Sequence, residues 1–122
     1  MGTTVSLSAS DGHQLNAYLA EPKGSPRGGI VIGMEMYGVN GYLKTVCDKY
    51  AVSGYCAIAP ALFDRTEPDL VLPYDTNGMR RGKEISHKVD YGEVLNDVTA
   101  AAEYIRSAGK TAISGYCFGG TI

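Results

Sequence analysis

The stretch Lys110-Thr111-Ala112-Ile113-Ser114-Gly115-Tyr116-Cys117-Phe118-Gly119-Gly120 decides how this chain reads. Its first five residues have the character of a short buried strand. Glycines then stand two before and two after Cys117, the spacing of a nucleophile elbow, with sulfur where that motif usually carries a serine hydroxyl. The demand is steric. A side chain at the tip of a tight strand-to-helix turn needs small neighbours at minus two and plus two, or strand and helix cannot approach. Such a turn sets the thiol at a helix N-terminus, where unpaired N–H groups favour a thiolate and can hold an oxyanion. The plainer alternative is a buried structural cysteine in a glycine-rich turn, since free Cys is among the most buried residue types. The agreement of strand, spacing and a third glycine favours catalysis.

Working upstream, Asp90-Tyr91-Gly92-Glu93 has the form of a capping box, and Val94, Val98, Ala101 and Ile105 behind it form one apolar helix face that Gly109 ends. From Pro60 to about Lys88 the periodicity fades. Pro68, Pro73, an Asp75-Thr76-Asn77-Gly78 turn and Arg80-Arg81-Gly82 suggest a long connection holding one short helix. Tyr55 to Ala59 is a buried strand closed by Pro60. Before it, Asn40 caps a helix with Leu43, Val46, Cys47 and Tyr50 at helical spacing, and Gly54 stops it. Ile30-Val31-Ile32-Gly33-Met34 is apolar on both faces, the mark of a buried parallel strand, and breaks off at Glu35. Glu21 to Gly29 is a loop. Thr3 to Ser8 and His13 to Ala20 alternate around Asp11-Gly12 as a hairpin. Strands and helices alternating after an initial hairpin mean an α/β fold with a mostly parallel sheet.

Composition narrows the function classes. At 122 residues the chain holds at most one domain, and 44% hydrophobic content with 20% charge is that of a globular protein rather than a disordered one. A net charge of -2 without a basic cluster argues against a nucleic-acid partner, and no apolar run approaches membrane length. Cys47, Cys56 and Cys117 are odd in number and scattered, which points to reduced thiols and a cytoplasmic setting. His13 and His87 are the only histidines, neither near a second ligand type, so neither metal nor cofactor is expected.

The segments Gly115-Tyr116-Cys117-Phe118-Gly119-Gly120, Ile30 through Asn40, and Pro60-Ala61-Leu62-Phe63 together resemble the dienelactone hydrolases (carboxymethylenebutenolidases), cysteine members of the α/β-hydrolase fold. The resemblance covers essentially the whole chain. It implies that residues 1–122 form the N-terminal part of a single α/β-hydrolase domain, beginning with a β-hairpin and truncated after the elbow. It also implies that the strand ending at Glu35 lies beside the one ending at Ser114, so that Glu35 and Cys117 meet at one sheet edge. A carboxylate beside a thiol discourages the resting thiolate, yet can accept the thiol proton once substrate repositions the pair. Alone, Glu35 would read as a solvated carboxylate at a strand end.

By similarity, the oxyanion hole comes from the backbone N–H groups of Phe118 and Met36. Tyr37 and Phe63 line an apolar pocket or belong to the core. Arg81, with Arg80 beside it, falls near the position where the family grips a substrate carboxylate, a task that suits bidentate arginine. One residue of alignment slack leaves either arginine eligible, and both read equally well as solvated.

One departure is large. The family's acid and base, an Asp and then a His, follow the nucleophile, whereas this sequence stops at Ile122. The strand of His13 is expected three places from that of Cys117, about 14 Å away, and His87 sits in the irregular connection. The sequence is therefore a piece of a longer protein, or has lost its general base. The expected activity, in the intact protein, is opening of a lactone or ester that bears a carboxylate, through a thioester on Cys117. The 122-residue chain alone is expected to be inactive and to self-associate through its unpaired sheet edge. Two alternatives stand beside this. One is another cysteine-elbow class, such as the triad glutamine amidotransferases or the Cys/Glu glyoxalase-like superfamily, which the initial hairpin and the late Cys oppose. The other is an inactive fragment or redox-sensing protein in which Cys117 is oxidised.

Overall fold

The computed structural model describes residues 2–68 and 70–115. Five strands and three helices alternate after a hairpin: β1 (Thr3–Ser8), β2 (Gln14–Ala20), β3 (Gly29–Gly33), α1 (Gly41–Val52), β4 (Cys56–Pro60), α2 (Thr76–Ser86), α3 (Tyr91–Tyr104) and β5 (Thr111–Gly115). The strands form one sheet in the order β1-β2-β4-β3-β5. β1 pairs with β2, and β2 with β4, antiparallel; β4, β3 and β5 run parallel. The sheet is thus mixed, antiparallel from β1 to β4 and parallel from β4 to β5.

The connections explain the burial. From β3 to β4 the chain steps one way across the sheet, and from β4 to β5 it crosses back over β3. Right-handed crossovers then place α1 and α3 on opposite faces. α1 packs on β2 and β4, and α3 on β1, β3 and β4. Every residue of β3 and β4 is accordingly buried, as their continuous apolar sequences require. α1 starts where expected, with Asn40 Oδ1 accepting from the Leu43 N–H at 3.0 Å. In α3, Asp90 accepts from the Gly92 and Glu93 N–H groups. Only half of the capping box forms, because the Glu93 carboxylate turns instead to Arg65. α3 ends at Tyr104, a single 3₁₀ turn (Arg106–Ala108) follows, and Gly109 at φ +110° closes it. β5 borders β3 on one side and, among the described residues, nothing on the other, with Ile113 62% exposed.

The connection after β4 is more ordered than its sequence suggests. Asp75-Thr76-Asn77-Gly78 is not a free turn but the start of the 11-residue α2, with Asp75 accepting from the Gly78 N–H at 2.7 Å. The helix escapes periodicity because its packed face is Gly78, Gly82 and one larger apolar residue, Ile85. Ahead of it, residues 70–72 zip onto the loop after β3, where Gly38 bridges Val71 and the Leu72 N–H donates to the Tyr37 carbonyl at 2.9 Å. Gly38 has φ +88°, and a Cβ there would collide with the Leu70 carbonyl.

Candidate active site

In an open α/β sheet, ligands bind beyond the carboxyl ends of the strands, where the chain order reverses. Here that point lies between β3 and β5. The two strands are in parallel register, with Ile32 opposite Ser114 and Gly33 opposite Gly115. Glu35 follows Gly33 by two residues and leaves the sheet at this edge, half-buried. Cys117 follows Gly115 by the same two residues in sequence; it and Phe118 lie outside the described residues.

Around Glu35 the structure assembles a polar cluster that spacing did not reveal. The Tyr74 hydroxyl donates to Glu35 Oε1 at 3.2 Å and sits 2.7 Å from Asn40 Nδ2. The Tyr74 ring stands edge-on against Tyr37, centroids 4.6 Å apart at 73°. Desolvation of the hydroxyl, with the Glu35 charge beside it, holds the Tyr74 phenol above its ordinary range despite the opposing Asn40 hydrogen bond, so it stays a donor. The only local cue to Tyr74 is that it directly precedes the Asp75 cap of α2.

Met36 lies next to Glu35, and Gly82 of α2 sits directly on its carbonyl. A Cβ at position 82 would strike that oxygen, so the glycine sets how closely α2 approaches the Glu35–Asn40 loop. Tyr37 is half-buried against Tyr74, whereas Phe63 is 2% exposed and belongs to the core.

The helical wheel separates the two arginines. Arg81 flanks the packed Gly78–Gly82–Ile85 face and pairs with Glu67 at 2.6 Å and Glu84 at 3.7 Å. These carboxylates, the Glu67 hydrogen bond foremost, hold its guanidinium above the ordinary range. Arg80 points to the opposite side, exposed, with Nη2 on Asn77 Oδ1 of its own helix. The histidines stay apart from this edge. His13 precedes β2, three strand positions from β5, and His87 caps the C-terminus of α2 in an exposed position. Among the described residues no group of His, Cys, Asp and Glu is arranged to hold a metal ion, and no helix is long and apolar enough to cross a membrane.

The dienelactone hydrolase family profile matches residues 15–122. The chain belongs to the dienelactone hydrolase family. A carboxymethylenebutenolidase of Pseudomonas putida is 31% identical over 123 residues, which is 97% of this chain and 52% of that enzyme. The carboxymethylenebutenolidase 1 of Cupriavidus pinatubonensis is 26% identical, over 97% of this chain and 53% of its own. A Klebsiella pneumoniae crystal structure, provisionally assigned as a dienelactone hydrolase, superposes with a TM-score of 0.77 at 28% identity, covering 97% of this chain and 51% of that one. The α/β-hydrolase fold extends to a lidless serine hydrolase of Xanthomonas campestris at a TM-score of 0.61 and 12% identity. This dienelactone hydrolase family chain spans about half the length of the curated relatives it matches.

Proposed function

We propose that this chain carries the nucleophile half of a hydrolase that opens a lactone or ester bearing a carboxylate through a thioester on Cys117. The observation that supports this most directly is the parallel register of β3 and β5, with Gly33 opposite Gly115. Glu35 comes two residues after Gly33 and Cys117, in sequence, two residues after Gly115, and strands so paired lie about 4.8 Å apart. On this reading Glu35 takes the thiol proton as substrate docks, and sulfur attacks the acyl carbon. The backbone N–H groups of Met36 and Phe118 receive the negative charge on the former carbonyl oxygen. As the thioester forms the acyl C–O bond breaks; the leaving oxygen, tethered in a lactone and released from an ester, takes the proton held by Glu35, and water then cleaves the thioester with a general base from outside residues 1–122. Arg81, the arginine on the packed side of α2, exchanges Glu67 for the substrate carboxylate. Pairing of the β5 edge with a second copy or with further chain belongs to the same proposal, and light scattering reports on it.

Arg81→Ala tests the substrate class. The expected result is a Michaelis constant raised about tenfold or more for acidic lactones and nearly unchanged for neutral esters. Equal losses on both remove Arg81 from the site.

A further inference from the structure

The connectivity around Asn40 fixes the direction of each hydrogen bond. Asn40 Oδ1 accepts from the Leu43 N–H, which can only donate, so the other end of that amide, Nδ2, faces Tyr74. A side-chain NH₂ has no accepting capacity. The Tyr74 oxygen must therefore accept from Asn40, and its single proton is left for Glu35 Oε1. A relay runs one way: Leu43 N–H to Asn40, Asn40 to Tyr74, Tyr74 to Glu35. Because Asn40 also caps α1, the relay is anchored on a helix rather than a loop. Tyr37 packs the ring edge-on, and the Gly38–Val71 bridge with the Leu72–Tyr37 hydrogen bond ties down the segment leading to Tyr74. Tyr74 is 58% exposed, so burial in the core does not explain its two hydrogen bonds.

We infer that Tyr74 is a positioning residue for Glu35: its hydroxyl, oriented by the Asn40 amide, fixes the carboxylate at the end of β3 in the resting position from which substrate docking turns it to the proton of the nucleophile. This rests on the role proposed for Glu35. Besides Glu35, ionisable groups near Tyr74 are Tyr42 of α1 and Tyr37, whose ring packs against it.

Three measurements on the purified protein test it. Tyr74→Phe keeps the ring against Tyr37 and removes only the hydroxyl. Asn40→Asp keeps the cap on Leu43 but offers Tyr74 an acceptor, drawing its proton away from Glu35. Both variants are expected to melt close to the wild type. The infrared C–O stretch of ring-labelled Tyr74 reads the relay without substrate or thiol. It is expected to shift in Glu35→Gln and in Asn40→Asp, and an unchanged band in both overturns the relay. The rate of Cys117 alkylation is then compared between the proteins. In Tyr74→Phe it is expected to fall severalfold, because a carboxylate that loses its donated hydrogen bond is no longer held in one position. Turnover of an acidic lactone should fall about tenfold in kcat with little change in KM. An infrared shift with unchanged alkylation and unchanged kcat makes the relay merely structural and overturns the inference. Turnover is read on an intact protein that includes residues 1–122, since deacylation is proposed to need a base from outside them; no lactone turnover there defeats the substrate reading alone, since the infrared and alkylation arms still decide the role of Tyr74.

Discussion

Gly82 of α2 lies directly on the carbonyl of Met36, so close that no side chain fits between helix and loop. The relationship matters because the N–H of Met36 is one of the two donors proposed for the oxyanion. Gly82→Ala adds a methyl that only backbone displacement can accommodate. It is expected to cost about 1–3 kcal/mol, read as a lower urea midpoint, although alanine is the better helix former. Acylation should slow with it, since a donor moved by a fraction of an ångström loses the developing charge. Gly41→Ala, at the exposed start of α1 with nothing near its Cβ, is the control and should be neutral or slightly stabilising.

Arg65 fastens the loop after β4 to α3 and to the β1–β2 turn. Its guanidinium makes two bonds to Asp97, at 3.0 and 2.9 Å, with Asp11 at 2.8 Å and Glu93 at 3.1 Å. The Asp97 side chain is 1% exposed, so Arg65→Ala would strand a buried charge, and urea unfolding is expected to show a loss of about 3–5 kcal/mol. Replacing both together, Arg65→Met with Asp97→Leu, should recover most of it. The same melts carry a pH signature. The Arg65 hydrogen bond lowers the Asp11 carboxyl in the folded state, against partial desolvation. Its contribution is therefore complete above the unfolded value of about 3.9 and is lost as pH falls through the lower folded value. Below about pH 4 the wild-type urea midpoint should fall more steeply than that of Asp11→Asn.

The cysteines should separate by reactivity. Burial, reinforced by Asp48, pushes the Cys47 thiol up to about 12, and burial with the Glu21 charge raises Cys56. Both are enclosed, Cys47 completely. Iodoacetamide at pH 8 is expected to label Cys117 alone in the folded protein and all three after urea, as read by peptide mass mapping. Labelling of Cys47 in the folded state would mean that α1 opens readily.

How much of this the sequence disclosed follows from the kind of signal involved. β3, β4, α1 and α3 were legible because periodicity and caps are local: Ile30 to Met34 is apolar throughout, and Asn40 and Asp90 cap as read. The adjacency of the Glu35 and Ser114 strands, implied by the family resemblance, is present in the β3–β5 register. α2 was hidden because two of the residues on its packed face are glycines, which read as turn formers. Tyr74 and Arg65 were silent for another reason. Their partners lie 32 to 54 residues away, apart from Glu93 at 28, and no spacing rule reaches that far. Cys117, on which the proposed chemistry turns, was singled out by its flanking glycines and lies outside the described residues.

The central claim is that Glu35 activates Cys117 for acyl transfer. It is tested most directly by rapid-quench mass spectrometry of the protein mixed with an activated ester that bears a carboxylate. An acyl adduct on the Cys117 peptide is expected, forming at least about a hundredfold more slowly in Glu35→Gln while substrate binding persists. No adduct at Cys117, or equal rates in the two proteins, would contradict it.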